Sequence, residues 1–454
     1  MTLDLDFTWK TAKKTADNLI FNHTGKHLSD VEIIILHGAW NNRTYEEIAE
    51  AEGYTTNYLS KDVGGKLWCH LSTALKEKVS KRNFKAALQR EWKNHSEAIL
   101  AEYRTQLTQS NLTKNLTFPE GSVTLSSPFY LERSPIESIC YETIAKPGSL
   151  IRIKGAKWMG KTSLVNRILE QGIFQGQKTV YLDFDGVEHT ILEDLDKLLR
   201  WLCVMVARQL QLNDRVAEYW DTNILGSNDN CTFYFNKCFL AEIESDIILA
   251  LDNVDRLFSH QKVVEDFFGL LRSWHEKGKI YDCWSRLKIV LAHSTEVYVP
   301  LDINQSPFNA GVPVLLEEFD RDSVATLANL YQLDWSDRDL DLLMDEVGGH
   351  PYLVRLAMYQ INTNNLTLEQ FLAEAISETG IYSNLLRRLA NILERSPELS
   401  QAFTKVVQSE QVIALSSLQL YQLHSLGLVK YQRNLVMPRC KLYRDYFLNL
   451  DSNF

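Results

Sequence analysis

The stretch SLIRIKGAKWMGKTSLVNRIL, residues 149–169, decides how the rest of the chain is read. SLIRIK has the short apolar run of a buried strand, GAKWMGKT fits the pattern GxxxxGK[ST], and SLVNRILEQG offers Leu164, Val165 and Ile168 to one apolar helix face. In a strand, loop and helix context, Gly155 and Gly160 let the backbone turn so that successive N–H groups and the helix N-terminus converge on phosphate oxygens. Lys161 adds a point charge there, the Thr162 hydroxyl suits Mg²⁺, and Ser163 follows as a further contact of the cradle.

Such a cradle needs an acid at the end of a second buried strand. DIILALDNVDRLF supplies Asp252, placed to hold Mg²⁺ directly or through water. The next residue is Asn253, where a carboxylate would orient or deprotonate an attacking water; an amide cannot take a proton. Asp255 is the substitute within reach of the same turn. Nucleotide binding with slow or absent hydrolysis is therefore expected, with Asp252, Asn253 and Asp255 as the catalytic group of interest. A further run, LKIVLAHSTEVY, ends in His293, Ser294 and Thr295. Ser294 or Thr295 can sense a terminal phosphate or simply cap the strand, and His293 reads as a core histidine.

These runs, with TVYLDF at 179–184, alternate with helical segments, which indicates an α/β core with a parallel sheet and helices on both faces. At 454 residues roughly three domains are expected. The divisions read are a helical domain at 1–104, a Thr/Ser/Asn/Gly-rich linker at 105–128, the α/β core at 129–315, a helical lid at 316–395 and a winged-helix domain at 396–454. The last reads from its residues as helices ending in a short strand-like pair, LVKYQRNLVMPR; it resembles a winged helix, in which LVKYQ and NLVMPR would form the wing. The composition, 45% apolar and 23% charged, is that of an ordinary globular chain. No long apolar run or secretory leader is visible, so a cytoplasmic protein without membrane contact is expected. The seven cysteines are scattered without a CxxC pair and read as reduced core residues. The formal charge of −10 excludes a chain that coats nucleic acid with its whole surface, so any DNA contact must come from one domain.

Near the N-terminus, Ser29 and Glu32 form a capping-box pattern, TYEEIAEAEGY reads as a helix closed at Gly53, and TTNYLSKDVGGKLWCHL as a second helix after a tight turn. This is a helix-turn-helix. Thr55, Thr56, Asn57, Tyr58, Ser60 and Lys61 would face a major groove if the second helix reads DNA. Its electrostatic footprint is thin, since Lys61 and Lys66 are offset by Asp62. The basic run from Lys76 to Lys93 either contacts phosphates or forms a solvated helix face.

The blocks FYLERSPIE, PGSLIRIKGAKWMGKTSLVNRIL, LALDNVDRLF, FFGLLRSWHEKG, HSTEVYVPLDINQSPFN, GGHPYLVRLA and RCKLYRDYF occur in that order. Together they resemble the AAA-like ATPase domain of cyanobacterial multidomain proteins, akin to STAND signalling NTPases, over about 120–450. The N-terminal module resembles the sigma-factor-like helix-turn-helix that precedes such domains. The resemblance implies ATP and Mg²⁺ as ligands, with Pro351 of GGHPYL packing near the adenine and coupling it to the lid. It implies a homo-oligomer whose ATP-bound state controls assembly with a protein effector or, through the N-terminal domain, DNA. A DNA-bound regulator assembling in an ATP-dependent way and a scaffold with permanent nucleotide are the alternatives. Arg286 and Arg321 join Arg133 as arginines that could contact nucleotide, and ATP is preferred because no NKxD guanine-reading motif accompanies the cradle.

Overall fold

The computed structural model describes residues 9–24, 26–91, 116–294, 306–377, 379–433 and 435–451. They belong to two compact units, residues 1–111 and 112–454.

The first unit is helical, with helices Trp9–Thr24, Asp30–Trp40, Tyr45–Glu52 and Gly64–Leu75. Ser29 caps the second of these with a complete capping box to Glu32, and Thr44 caps the third with Glu47 in the same way. Gly53 ends the third helix in the left-handed region at φ 73°, where a side chain would be strained. The next helix differs from the regular one expected, because Tyr58–Val63 winds as a π-helical turn before Gly64. The wide turn goes with close packing: a Cβ on Gly64 would lie 2.6 Å from the Tyr45 hydroxyl, while Leu59 stays fully buried in the core with Ile35, Ile48, Leu67 and Leu71.

In the second unit, five parallel strands run in the order β2-β3-β4-β1-β5: β1 Leu150–Lys154, β2 Lys178–Asp183, β3 Ile247–Asp252, β4 Leu287–His293 and β5 Val312–Leu315. Alternate residues feed opposite cores, as the two-residue period of a strand requires. Val180, Leu182, Leu249, Leu251, Ile289 and Leu291 pack under helices Leu195–Gln209 and Gln261–Gly278. Ile151, Ile153, Ile248, Ala250, Val290 and Ala292 face helices Ile136–Ile144 and Lys161–Phe174. Strand β4 lies between β1 and β3, so the ends of the phosphate-loop strand and of the acidic strand are separated by the strand that leads into Ser294.

Helices Arg321–Leu330, Asp337–Val347, Pro351–Asn364, Leu368–Glu374 and Ser383–Glu394 follow the sheet. Helices Pro397–Gln408 and Ser417–Ser425, the antiparallel hairpin β6 Val429–Gln432 with β7 Leu435–Pro438, and helix Lys441–Asp451 complete a winged-helix arrangement. An added bridge, Ile413 to Val436, gives the wing a third edge. Both groups of helices bury side chains in one continuous core, from Val324 and Leu343 to Phe403 and Tyr443. This assembly is tied to the phosphate loop, since the Lys157 N–H donates to the Ser425 carbonyl at 3.0 Å. Residues 116–128, the described part of the expected linker, also pack on the core: the Val123 N–H donates to Ser163 Oγ at 2.9 Å and Arg167 donates to the Val123 and Thr124 carbonyls.

The entry to helix Pro351–Asn364 depends on a backbone contact that only glycine permits. A Cβ on Gly349 would lie 1.8 Å from the Phe319 carbonyl oxygen, and the Phe319 N–H donates to the Gly349 carbonyl at 2.8 Å. Gly349→Ala should therefore destabilise this unit by about 2–4 kcal/mol, through forced backbone displacement. Gly269→Ala, in a helix where an added Cβ meets nothing within 4 Å, should instead stabilise by roughly 0.5–1 kcal/mol. Denaturant midpoints followed by tryptophan fluorescence give both signs; equal midpoints for the two variants would contradict the contact argument.

Candidate functional site

The loop after β1 has the two unusual backbone conformations that a phosphate cradle uses: Trp158 at φ 61° and Gly160 at φ 96°. Gly155 is needed for proximity, since a Cβ there would lie 3.1 Å from Leu316 Cβ; at Gly160 it would lie 2.7 Å from Arg133 Nη2. Helix Lys161–Phe174 starts at once, directing its free N–H groups into the loop. Lys161 is only 6% exposed, and its Nζ donates to the Gly155 and Ala156 carbonyls at 2.9 and 3.1 Å. Burial lowers its proton affinity, opposed by attraction to Asp255 and Asp252. An ammonium partnered by neutral carbonyls at the mouth of a helix N-terminus has the field to receive an anion.

Thr162 Oγ1 donates to Asp252 Oδ2 at 2.6 Å, and the Tyr181 hydroxyl donates to the same oxygen at 3.1 Å. The other Asp252 oxygen accepts from the Asn253 N–H at 2.8 Å. Asp252 is fully buried, and burial raises its pKa although the Thr162 hydrogen bond and Lys161 oppose the shift. A hydroxyl and a carboxylate in contact, next to a cation, form a hard oxygen donor pair that fits Mg²⁺ with water and phosphate oxygens as its remaining ligands.

A cavity of about 540 Å³ opens above this pair, a size suited to a cofactor. Its floor includes Lys157, Trp158, Gly160, Lys161, Thr162 and Ser163; Ser294 and Asn253 border it. The roof is supplied by Pro351, Tyr352 and Arg355 of one lid helix and Arg388 of another, and one wall by Glu120–Val123 and Phe129–Leu131. Trp158 stacks on Tyr352 with ring centroids 6.0 Å apart, so loop and lid touch through aromatic rings. Pro351 stands at the first turn of its helix, where its missing N–H costs nothing.

The acidic residues are arranged differently from the expectation. Asp255, the expected stand-in for a base, accepts the Ser294 N–H at 3.0 Å and is thereby occupied in joining the turn after β3 to the end of β4. Besides Glu120 in the wall, two carboxylates not singled out from the sequence line the cavity beyond the end of β2, Asp183 and Asp185. Asp183 ends β2 in register with Asp252, and its Oδ1 accepts Asn253 Nδ2 at 2.9 Å. Asp185 has its pKa raised, by burial first and by Asp183 second. The signal for Asp183 was the acid in TVYLDF, one strand away from the acidic strand, and Asp185 follows it two residues on.

Among the remaining expected residues, Ser163 is buried and accepts from Val123, so it anchors the wall. Arg133 donates to the Met159 and Glu317 carbonyls and lies over the Phe319 ring, which ties the loop to the lid at the cavity edge. Arg286 donates to the Leu240 and Ile243 carbonyls, far from this role, and Arg321 pairs with Asp337 and Asp341. Arg355 and Arg388 are the cavity's lid arginines. His293 is buried with its ring edge-on to Phe308, and Thr295 lies outside the described residues.

In the N-terminal unit, Thr55, Asn57, Tyr58 and Lys61 are exposed and Thr56 and Ser60 half-buried. Tyr58 stacks on Tyr54 at 5.9 Å. Much of the basic run serves the unit's own packing: Lys81 lies over the Tyr45 ring, Lys85 over Trp40, and Arg90 pairs with Glu77. Lys93 lies outside the described residues.

Residues 118–449 match the model of the AAA-like domain. The chain belongs to that family. Residues 7–91 of this AAA-like protein match the N-terminal HTH of vWA-MoxR associated proteins. In structure it is similar to a Walker-type ATPase of Pyrococcus abyssi, at 13% identity and TM-score 0.51, over 73% of this chain and 99% of that one. It is also similar to the Aeropyrum pernix ORC2 protein in ADPNP–ADP complexes, at 16% identity and TM-score 0.38, over 76% and 98% of the two chains. Domain III of the Thermotoga maritima replication initiation protein DnaA gives 17% identity and TM-score 0.34, over 53% and 91%. No curated protein matches this chain. No helix among the described residues is long and apolar enough to cross a membrane.

Proposed function

We propose that this AAA-like protein is an ATP-dependent regulatory switch, holding ATP and Mg²⁺ between the phosphate loop and the lid and cleaving ATP slowly or not at all. The observation that carries the reading is the Thr162–Asp252 contact of 2.6 Å beside the buried Lys161, at the floor of a cavity whose roof belongs to the lid. Bound ATP would supply a phosphoanhydride whose charge Mg²⁺ neutralises, with Thr162 and Asp252 holding the ion. Lys161 and the loop N–H groups position phosphate oxygens, Arg355 and Arg388 supply charge from the lid, and Tyr352 with Trp158 keeps lid and loop in register. Nucleotide contacts on both sides favour the closed lid, and this differential contact is what a switch requires. ADP would hold the cradle with fewer lid contacts. Assembly of ATP-bound copies, with an effector protein as output, is the regulatory consequence, in the manner of STAND signalling NTPases. The test is to identify nucleotide carried by the purified full chain and to compare its retention with that of a Lys161 variant.

A second reading, DNA binding by the N-terminal unit, is favoured by Asn57 and Lys61, exposed four residues apart on the helix after the Gly53 turn. Thr56, Tyr58 and Ser60 complete the surface. Duplex DNA binding followed by fluorescence anisotropy should weaken steeply with salt, and Lys61→Ala should reduce the log–log salt slope by about 1. Absence of any anisotropy change at low salt would leave the unit a protein-docking module.

A further inference from the structure

We propose that His189, Glu193 and His260 form a binding site for one transition-metal cation of the zinc class, joining the segment after β2 to the segment after β3. His189 opens the short helix His189–Leu192, and Glu193 caps its end. His189 Nδ1 lies 3.1 Å from Glu193 Oε1, and the two side chains are 67% and 57% exposed. His260 comes from a different element. It stands where the 3-10 turn Val254–Ser259 passes into helix Gln261–Gly278, deeper than the other two. Its ring centroid is 4.8 Å from that of His189, at 69°. One donor atom from each of the three residues lies within 4.8 Å of the other two.

Bonds of 2.0–2.2 Å to Zn²⁺ place tetrahedral donors about 3.3 Å apart. The His189–Glu193 pair is at that spacing, and a rotation of the exposed His189 side chain brings its ring and the carboxylate toward His260. Two imidazoles and one carboxylate are a borderline-soft donor set, suited to Zn²⁺ and disfavoured by Mg²⁺, which takes oxygen. Three protein ligands leave at least one position open to water. The Arg256 guanidinium, from the turn before His260, is engaged with the Phe184 and Asp185 carbonyls. The turn before His189 follows Asp183 and contains Asp185, and the turn before His260 follows Asn253 and contains Asp255. An ion here would therefore stiffen the acidic wall of the nucleotide cavity without entering it.

The test is Zn²⁺ titration by calorimetry on the full chain, freed of tag histidines and stripped with chelator. One equivalent should bind, with affinity reduced at least 30-fold in His260→Ala and Glu193→Gln and abolished in His189→Ala/His260→Ala. Co²⁺ in place of Zn²⁺ should give a visible d–d band with the same dependence. All three variants should melt like the native chain in chelator, because the side chains removed are on the surface or at its edge. Asp252→Asn should retain the Zn²⁺ site. The proposal is overturned by unchanged binding in the double variant, by no binding in the native chain, or by loss in Asp252→Asn with retention in His260→Ala.

Discussion

Lys161→Ala is expected to weaken nucleotide binding by about two to four orders of magnitude. In the absence of ligand the ammonium is held by the Gly155 and Ala156 carbonyls, so it is already oriented and little entropy remains to be lost on binding. Two charge-assisted hydrogen bonds to phosphate contribute roughly 1.5–3 kcal/mol each, and 1.4 kcal/mol is a factor of about ten. The alanine variant also removes the cation nearest Asp252 and Asp255, which could lower stability by itself. Lys161→Met separates the effects, because it keeps the buried apolar stem and drops only the charge. Both variants should release nucleotide during purification, while the methionine variant melts within a few degrees of the native protein without ligand. Equal retention of nucleotide by the native chain and Lys161→Met would remove the phosphate cradle from this loop.

The cradle was legible because its chemistry is local. A strand, two glycines, a lysine and a hydroxyl lie within one window, and the spacing alone fixes which groups face the loop. Strands β3 and β4 were legible for a related reason: buried at every position, they are nearly continuous apolar runs, while β1 and β2 show apolar residues at alternate positions. Strand β5 was not, since Val312–Leu315 is four residues long, contains Pro313 and lies at the sheet edge where proline is tolerated. The cavity's second acid pair escaped notice because Asp183 becomes relevant only through the pairing of β2 with β3, a contact across about seventy residues that no periodicity announces. The role of residues 120–123 was hidden likewise. Their Ser- and Gly-rich composition reads as linker, while their backbone groups satisfy Ser163 and Arg167. Arg355 and Arg388 lie in helices whose register toward the cavity is set by the shared core of lid and winged helix.

Asn253→Glu, introduced together with Asp183→Asn, is expected to raise phosphate release by about 10²-fold, the lower end of what a positioned general base contributes. Asn253 occupies the left-handed region at φ 54°, which asparagine accepts more readily than glutamate. Its amide donates to Asp183 at 2.9 Å, so the native pair is a matched donor and acceptor. A glutamate alone would replace that donor with a carboxylate beside Asp183, and two adjacent carboxylates do not both ionise readily. The single variant should therefore gain less than the double one, and part of any gain should disappear at lower pH as the coupled pair takes up a proton. Neutralising Asp183 removes the repulsion and leaves the new carboxylate free to accept a proton from water. Phosphate release measured on the native chain, both single variants and the double variant, with Lys161→Met as the zero, distinguishes the cases. Turnover at about 1 s⁻¹ or faster in the native chain would refute the slow-hydrolysis reading and point to Asp185, whose raised proton affinity suits a base at the cavity wall. No gain in the double variant would mean that the attacking water does not lie against residue 253, and the amide there serves the geometry of Asp183 alone.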